Sequence, residues 1–317
     1  MCPKVSVTVP VFNTSNYLRK CLDSLKVQTF QDIEFIVVDD GSTDDSGLIC
    51  DEYAKQYPNF KIIHQANGGL ASARETGLQN SIGDFIIVCD SDDWVEPDMY
   101  ESLYRKAIST GADIVTCGFF TEYDNGVQSN KYTVFREVAG IVDNNDIIAR
   151  GAGWSWVKLI RRSLLEENDI HYEPGINLSE DSLILYKLMK LNPKVVQIDK
   201  PLYHYRRVFG GNSYTNNLSM DHMLQLNYTY SWLKTNYCES IWEDVIQKRA
   251  IDLAFACLRT KNLDAQFFKR FLKEELPYKS FLKRKISLKA LVILSSKIIS
   301  FRFSKFLVNN FYSYFYR

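Results

Sequence analysis

The sequence predicts an α/β fold: a mostly parallel central sheet flanked by helices, with a C-terminal helical extension. Over the first 118 residues, apolar runs of strand length alternate five times with helical periodicities, joined by short connections. Such alternation is the pattern of parallel strands with right-handed crossovers. The strand-to-helix turns carry polar clusters: Asn13, Asp39 with Asp40, Asn67, and Asp90 with Asp92. In a parallel sheet these turns share one edge, and ligands bind outside the carboxyl ends of the strands.

Lys4–Pro10 (KVSVTVP) alternates and ends on proline, so it reads as the first strand. Asn13-Thr14-Ser15 offers N-cap oxygens, and Tyr17, Leu18, Cys21, Leu22 and Leu25 follow at helical spacing. Ile33–Val38 is a continuous apolar run, as a strand buried on both faces requires, and Asp39-Asp40-Gly41-Ser42 closes it. A helix is expected over residues 44–57, a strand over Phe60–His64 and a helix over Leu70–Asn80. Phe85–Cys89 is a further strand and runs into Asp90-Ser91-Asp92-Asp93. Pro97 opens a helix to Thr110, and Asp113–Gly118 is the fifth strand of the series. Residues 119–150 read as short strands of a lid or insertion. Beyond them lie the cluster Trp154, Trp156 and Lys158, then Glu180-Asp181 opening an apolar helix. Val195–Asp199 is another strand, followed by Tyr203-His204-Tyr205-Arg206-Arg207, and helices are expected from Asp221 onward.

At 317 residues and 46% hydrophobic content the chain can bury a large core. Its net charge of zero is unevenly placed. Residues 265–317 hold twelve Lys/Arg against two Glu, which leaves residues 1–264 with ten acidic charges in excess. An acidic body argues against nucleic acid as a partner. The basic, aromatic tail fits either a helical cap packed on the main domain or a helix lying on anionic lipid. Seven scattered cysteines without a Cys-x-x-Cys pair read as small buried groups in a reducing compartment. Met1 leads straight into a strand without a charged-then-apolar leader, and no window reaches about 18 uncharged apolar residues. The expected location is cytoplasmic, peripheral on the inner face of the membrane.

Asp90, Asp92 and Asp93 crowd three mutually repelling carboxylates at a strand end, which does nothing for stability. A divalent cation and a phosphate ester would account for them, because Mg²⁺ and Mn²⁺ share hard oxygen ligands between carboxylates and substrate phosphates. No Gly-x-Gly-x-x-Gly or P-loop pattern offers a Gly-rich cradle instead. Of Asp39 and Asp40, one caps the Gly41-Ser42-Thr43 turn and the other is left for a ligand. Glu180 and Asp181 suit a helix N-terminus, and only one of them can easily point into a cleft.

Val7–Asn13 (VTVPVFN), Val37–Asp44 (VVDDGSTD), Asn67–Arg74 (NGGLASAR), Asp90–Asp93 (DSDD) and Glu180-Asp181 occur in that order. Together they resemble the family 2 glycosyltransferases over roughly residues 4–215. The resemblance implies the GT-A fold and inverting transfer of a sugar, usually from a UDP-sugar, to a hydroxyl of a glycan or lipid-linked acceptor in bacterial surface polysaccharide synthesis. On that resemblance Pro10, Phe12 and Asp40 would hold the base, and Asn67 and Arg74 would contact the nucleotide. Asp90, beside Ser91, would bind ribose, and Asp92 would hold Mn²⁺ or Mg²⁺ against the diphosphate. Asp181 would be the general base, and His204 a second metal or diphosphate contact with Arg206 beside it. One of Trp154 and Trp156 reads as core and the other as a sugar-facing wall. The expected domains are residues 1–220, with a nucleotide-binding half about 1–118 and an acceptor half about 119–220, and a helical region 221–317. The alternative is a non-catalytic, membrane-associated assembly subunit that keeps the fold. Intact Asp92 and Asp181 argue against it.

Overall fold

Continuous Val, Ile and Phe runs become central strands because both sheet faces are covered. Every residue of β1 (Val5–Val11) and β2 (Ile33–Asp39) is buried. With β3 (Phe60–His64) and β4 (Phe85–Val88) they form a parallel block in the order β3-β2-β1-β4. Helices α1 (Ser15–Lys26), α2 (Ser46–Gln56) and α3 (Leu70–Gln79) connect these strands. Helix α1 buries Leu18, Cys21, Leu22 and Leu25, the one-faced spacing expected of it. The computed structural model describes residues 3–123, 130–132, 140–141, 144, 154–207, 218–239, 242–260, 264–276, 292–293 and 308. The chain divides into two compact units, residues 1–210 and 211–317.

The first unit continues through β5 (Trp94–Val95), α4 (Met99–Thr110), β6 (Ile114–Tyr123), β7 (Asn130–Tyr132) and β8 (Gly140–Ile141). It ends with β9 (Lys158–Arg161), α5 (Arg162–Glu166), α6 (Glu180–Met189) and β10 (Val195–Arg207). The sheet runs β3-β2-β1-β4-β9-β6-β10-β5, with β7 on β6 and β8 on β10. Strand β9 is antiparallel to both its neighbours, β4 and β6. The sequence shows only an aromatic and lysine cluster there, because four residues are too few to display a period. Strand β10 runs well past Asp199. Register shifts around Pro201 let it cross the proline, which cannot donate to a ladder, and resume pairing with β6. Most of the expected lid after Tyr123 lies outside the described residues.

The second unit contains α7 (Met220–Asn236), α8 (Glu243–Arg259) and α9 (Ala265–Glu275). A reciprocal cap opens α7: the Ser219 side chain accepts from His222 N–H, and Ser219 N–H donates to His222 Nδ1. Helix α9 buries Phe268, Phe271 and Leu272, while Tyr230 donates to Glu275 at 2.7 Å. The apolar stripe of this basic helix is therefore covered by protein, and nearly all of the tail beyond Leu276 lies outside the described residues. No helix among the described residues is long and apolar enough to cross a membrane. Among the described cysteines only Cys238 is exposed, and all are free.

Helix α3 lies close on β1 at Gly77, where an added Cβ would stand 2.8 Å from Thr8 Cβ. Gly77→Val should displace α3 and cost about 1–3 kcal/mol, as overpacking does elsewhere. Circular dichroism melting checks this, and an unchanged Tm would mean that the helix has room to move.

Candidate active site

The polar turns meet along one edge, as parallel topology requires. Asn13 adopts the left-handed region (φ 52°), and its Oδ1 accepts from Thr43 N–H at 2.8 Å and Asp44 N–H at 3.3 Å. Thr14 Oγ1 and Ser91 Oγ lie 3.1 Å apart. The turn after β1 thus holds the turns after β2 and β4. Pro10 is buried within β1, whereas Phe12 and Asn67 stand exposed at this edge.

Asp39 serves the turn: its Oδ1 accepts from Ser42 N–H at 3.1 Å and its Oδ2 faces His64 Nδ1 at 2.8 Å. Burial would raise its carboxyl, but Ser42 and His64 outweigh burial and hold it below the usual range. Asp40 corrects the expectation of an open, base-reading carboxylate. Its Oδ1 accepts from Gly68 N–H (2.9 Å) and Gln65 Nε2 (2.6 Å), and its Oδ2 from Gly69 N–H (2.8 Å). The loop before α3 offers two adjacent amides, and Asp40, 2% exposed, turns to satisfy them. It shapes the loop that carries Asn67. Gly69 (φ 86°) completes this loop, and Asn177 caps α3 by accepting from Ala71 N–H at 2.9 Å.

Arg74 sits at the centre, 4% exposed. Its Nη2 donates to Asp90 Oδ1 at 2.8 Å, and its Nη1 donates to Glu180 Oε1. One guanidinium therefore joins the acidic stretch after β4 to the first turn of α6. Glu180 is drawn inward, and the half-buried Asp181 is left as the accessible member of the pair. Ser179, in the left-handed region at φ 67°, sets the entry to that helix, and Asp181 Oδ1 accepts from Ser182 N–H at 2.6 Å.

The remaining carboxylates of the acidic stretch have separate surroundings. Asp93 is 1% exposed and binds β10: its Oδ2 accepts from Tyr203 Oη at 2.7 Å and its Oδ1 from Arg206 N–H at 2.8 Å. Tyr203 Oη in turn accepts from Asp90 N–H at 3.1 Å. Burial, then Asp92 and Asp90, push the Asp93 carboxyl well up. Asp92 is the most open of the three, its side chain 40% exposed and 3.1 Å from Arg206 Nη2. Burial and Asp90 raise its carboxyl against the pull of Arg206. The Arg206 guanidinium lies 3.5 Å over the Tyr17 ring, and Lys20 Nζ lies 2.9 Å over Trp94. These residues, with Glu122, border a cavity of about 350 Å³ beside Asp92.

His204 is placed differently from its expected role. Strand pairing sets it opposite Trp94 on β5 and Phe120 on β6, and both rings stack on it at 5.1 and 4.8 Å. Its Nδ1 faces Glu122 at 2.9 Å and its Nε2 faces Glu96 at 2.8 Å. With a carboxylate against each nitrogen, both ring nitrogens are engaged by protein, which corrects the metal-contact expectation. Among the described residues no group of three or more His, Cys, Asp or Glu is set to hold a metal alone. That fits an ion held jointly by Asp92 and ligand phosphates, since Mg²⁺-type sites commonly use one or two carboxylates. The crowding that raises Asp92 is what such an ion would relieve. Trp156 is 5% exposed and stacks on Tyr203 and Tyr205, whereas Trp154 is 38% exposed. The sequence singles out Asp93 and shows Tyr203 without revealing their pairing, and it gives no sign of Asn177, because these roles depend on contacts with distant partners.

Residues 6–175 match the protein family described as Glycosyl transferase family 2. The chain is 37% identical over 214 residues to glycosyltransferase GlyA of Streptococcus pneumoniae, covering 64% of this chain but only 30% of GlyA. Its structure resembles that of S. aureus TarS 1-349, solved in complex with UDP-GlcNAc, with a TM-score of 0.69 at 20% identity. That likeness covers 98% of this chain and 92% of the TarS chain. Mannosyltransferase PcManGT of Pyrobaculum calidifontis, solved with GDP-Man and Mn²⁺, gives a TM-score of 0.56 at 14% identity, over 98% of this chain and 88% of that one.

Arg74→Met should strand Glu180 and Asp90 without their cation and cost about 3–5 kcal/mol in denaturant unfolding. Adding Glu180→Leu should restore part of the loss, because the most buried carboxylate is then gone. A loss below about 1 kcal/mol for Arg74→Met would show that the bridge does not hold the two segments together.

Proposed function

The chain belongs to glycosyl transferase family 2 and has the GT-A fold, and from that premise we propose an inverting transfer from a UDP-sugar to an acceptor hydroxyl. The acceptor is a glycan or lipid-linked molecule, in bacterial surface polysaccharide synthesis. The observation that supports this most is the Arg74 bridge. It fixes Asp90, and with it the acidic stretch, against the helix turn that presents Asp181.

In this reading Pro10, Phe12 and Asn67 contact the base, and Asp40 acts through the Gly68-Gly69 loop. Asp90 and Ser91 meet the ribose. Asp92 would hold Mn²⁺ or Mg²⁺, which when bound would supply positive charge against the diphosphate. Arg206 adds fixed positive charge at the same edge. Asp181 takes the acceptor hydroxyl proton while the new C–O bond forms opposite the breaking bond to UDP. We assign this chemistry to residues 1–220, with the nucleotide side in about 1–118. The ten surplus positive charges of residues 265–317 support attachment to the inner membrane surface. Since α9 buries its apolar stripe, that attachment is electrostatic.

Asp181→Asn should keep metal-dependent UDP binding and lose about 10²–10⁴-fold in transfer, as removal of a general base does. Asp92→Ala, or EDTA on the unchanged protein, should weaken UDP binding itself. UDP release from a panel of UDP-sugars, with UDP binding by calorimetry, measures both. Wild-type transfer by Asp181→Asn would remove the base assignment. Anionic vesicles should pull the protein down at low salt and release it at high salt. Equal binding to neutral vesicles would refute the electrostatic attachment.

A further inference from the structure

We propose that Lys20 is a donor-binding residue: its ammonium, seated on the Trp94 ring at the rim of the cavity beside Asp92, contacts a phosphate oxygen of the sugar diphosphate. Trp94 is the positioning residue that holds it there. The inference rests on the reading of the donor as a UDP-sugar whose diphosphate lies at Asp92.

Helix periodicity brings Lys20 to this rim. Helix α1 turns Leu18, Cys21, Leu22 and Leu25 into the core. Asn16, Tyr17 and Lys20 are left exposed on its other side, and all three border the cavity. The Lys20 Nζ lies 2.9 Å over the centre of the Trp94 ring.

Strand register fixes that ring. Trp94 on β5, His204 on β10 and Phe120 on β6 are direct cross-strand partners, so their rings can stack along one face of the sheet. His204 stacks on Trp94 at 5.1 Å and on Phe120 at 4.8 Å. Glu96 and Glu122 face its two nitrogens at 2.8 and 2.9 Å, which hold the plane of the middle ring. His204 thus supports the seat of Lys20.

A closed chain of contacts joins Lys20 to the acidic stretch. Arg206 Nη2 lies 3.1 Å from Asp92, and the Arg206 guanidinium lies 3.5 Å over Tyr17. Tyr17 stands three residues before Lys20 on α1, and Trp94, against Lys20, stands two residues after Asp92. These five side chains border one cavity of about 350 Å³, within the range of small-molecule sites. A phosphate held at Asp92 therefore faces the same space as the Lys20 ammonium.

The chemistry suits that neighbour. Asp92 and Glu122 give the cavity wall negative charge, which a diphosphate alone would meet as repulsion. Arg206 already pairs with Asp92. A second cation supplies a charge-assisted contact to a phosphate oxygen, among the stronger hydrogen bonds. Its seat on the ring exists before the ligand arrives, so little ordering is required on binding. A methionine would cover the Trp94 ring as well as lysine does, but it would not bind phosphate.

Calorimetric titration of the full chain with UDP in the presence of Mn²⁺ tests this. Lys20→Met should weaken UDP binding about tenfold or more, the loss of one hydrogen bond between charged groups. Its melting temperature should stay unchanged, because Lys20 is exposed. Lys20→Arg keeps the charge and can stack on tryptophan, so it should stay within about threefold of the unchanged protein. Uridine carries no phosphate, and its binding, followed by ligand-observed NMR, should be equal in Lys20→Met and the unchanged protein. Trp94→Leu should weaken UDP binding about threefold to tenfold, and Trp94→Phe, which keeps an aromatic face, should lose less. Lys20→Met combined with Trp94→Leu should bind UDP no worse than Lys20→Met alone, because the ring acts through the ammonium. Unaltered UDP affinity in Lys20→Met, or a parallel loss of uridine binding, overturns the proposal. Losses that add in full in the double variant overturn the positioning role of Trp94. An unchanged protein that does not bind UDP overturns the donor reading and this proposal with it, whereas UDP binding that ignores Lys20→Met removes Lys20 alone.

Discussion

A buried guanidinium between two carboxylates is the constraint on which this architecture turns. Arg74 is nearly inaccessible, and its two partners come from the end of β4 and the start of α6, far apart in sequence. Removing Arg74 leaves two carboxylates without their cation, a larger penalty than the intact arrangement returns in stability. Such a group specifies position more than it stabilises. It also requires α3 to lie tight against β1, which Gly77 permits, and to start at a fixed point, which Asn177 and the Asp40-held loop provide. Local backbone chemistry in three separate loops thus converges on the placement of one side chain.

The same logic sorts the acidic residues. Asp90 goes to Arg74, and Asp93 goes to Tyr203 and the Arg206 backbone. Asp92 keeps the most open side chain, partnered only at its edge by Arg206. In the Glu180-Asp181 pair the first is buried and the second is accessible. Burial and crowding push the inward carboxyls up, Asp93 well above its usual range and Glu180 to about 8 against the pull of Arg74, so repulsion within each cluster is eased on its buried side. The Asp39-Asp40 pair breaks this rule, because both find amide donors, and neither remains open.

How much of this was legible follows from the range of each interaction. The block β3-β2-β1-β4 was readable because uninterrupted apolar runs report burial on both faces, and the shared polar edge followed from parallel topology. Arg74 and Asp181 could be named from local motifs. Their connection could not, because a side-chain contact spanning 106 residues leaves no periodic trace. Strand β9 was too short for pattern, and β10 was hidden by the proline that it crosses. His204 received its metal or diphosphate role from the family resemblance, with Arg206 beside it. Its actual partners, Glu96 and Glu122, come from the segments flanking β5 and from β6.

The cations near Asp92 complete the electrostatic picture. Arg206 and Lys20 lie on the faces of Tyr17 and Trp94, which hold them by cation–π attraction. The aromatic faces fix where the two cations sit, and Arg206 also pairs with Asp92 at 3.1 Å on the cavity rim. Asp92 and Glu122 supply negative charge on the same wall. A ligand that brings both phosphate oxygens and a divalent ion would match such alternation, whereas a lone anion or a lone cation would meet repulsion from half of it. Because the aromatic rings are fixed by helix α1 and strand β5, this arrangement is set during folding. Little of it must then be reorganised when a ligand arrives, and that is the condition under which fixed charges assist a reaction most.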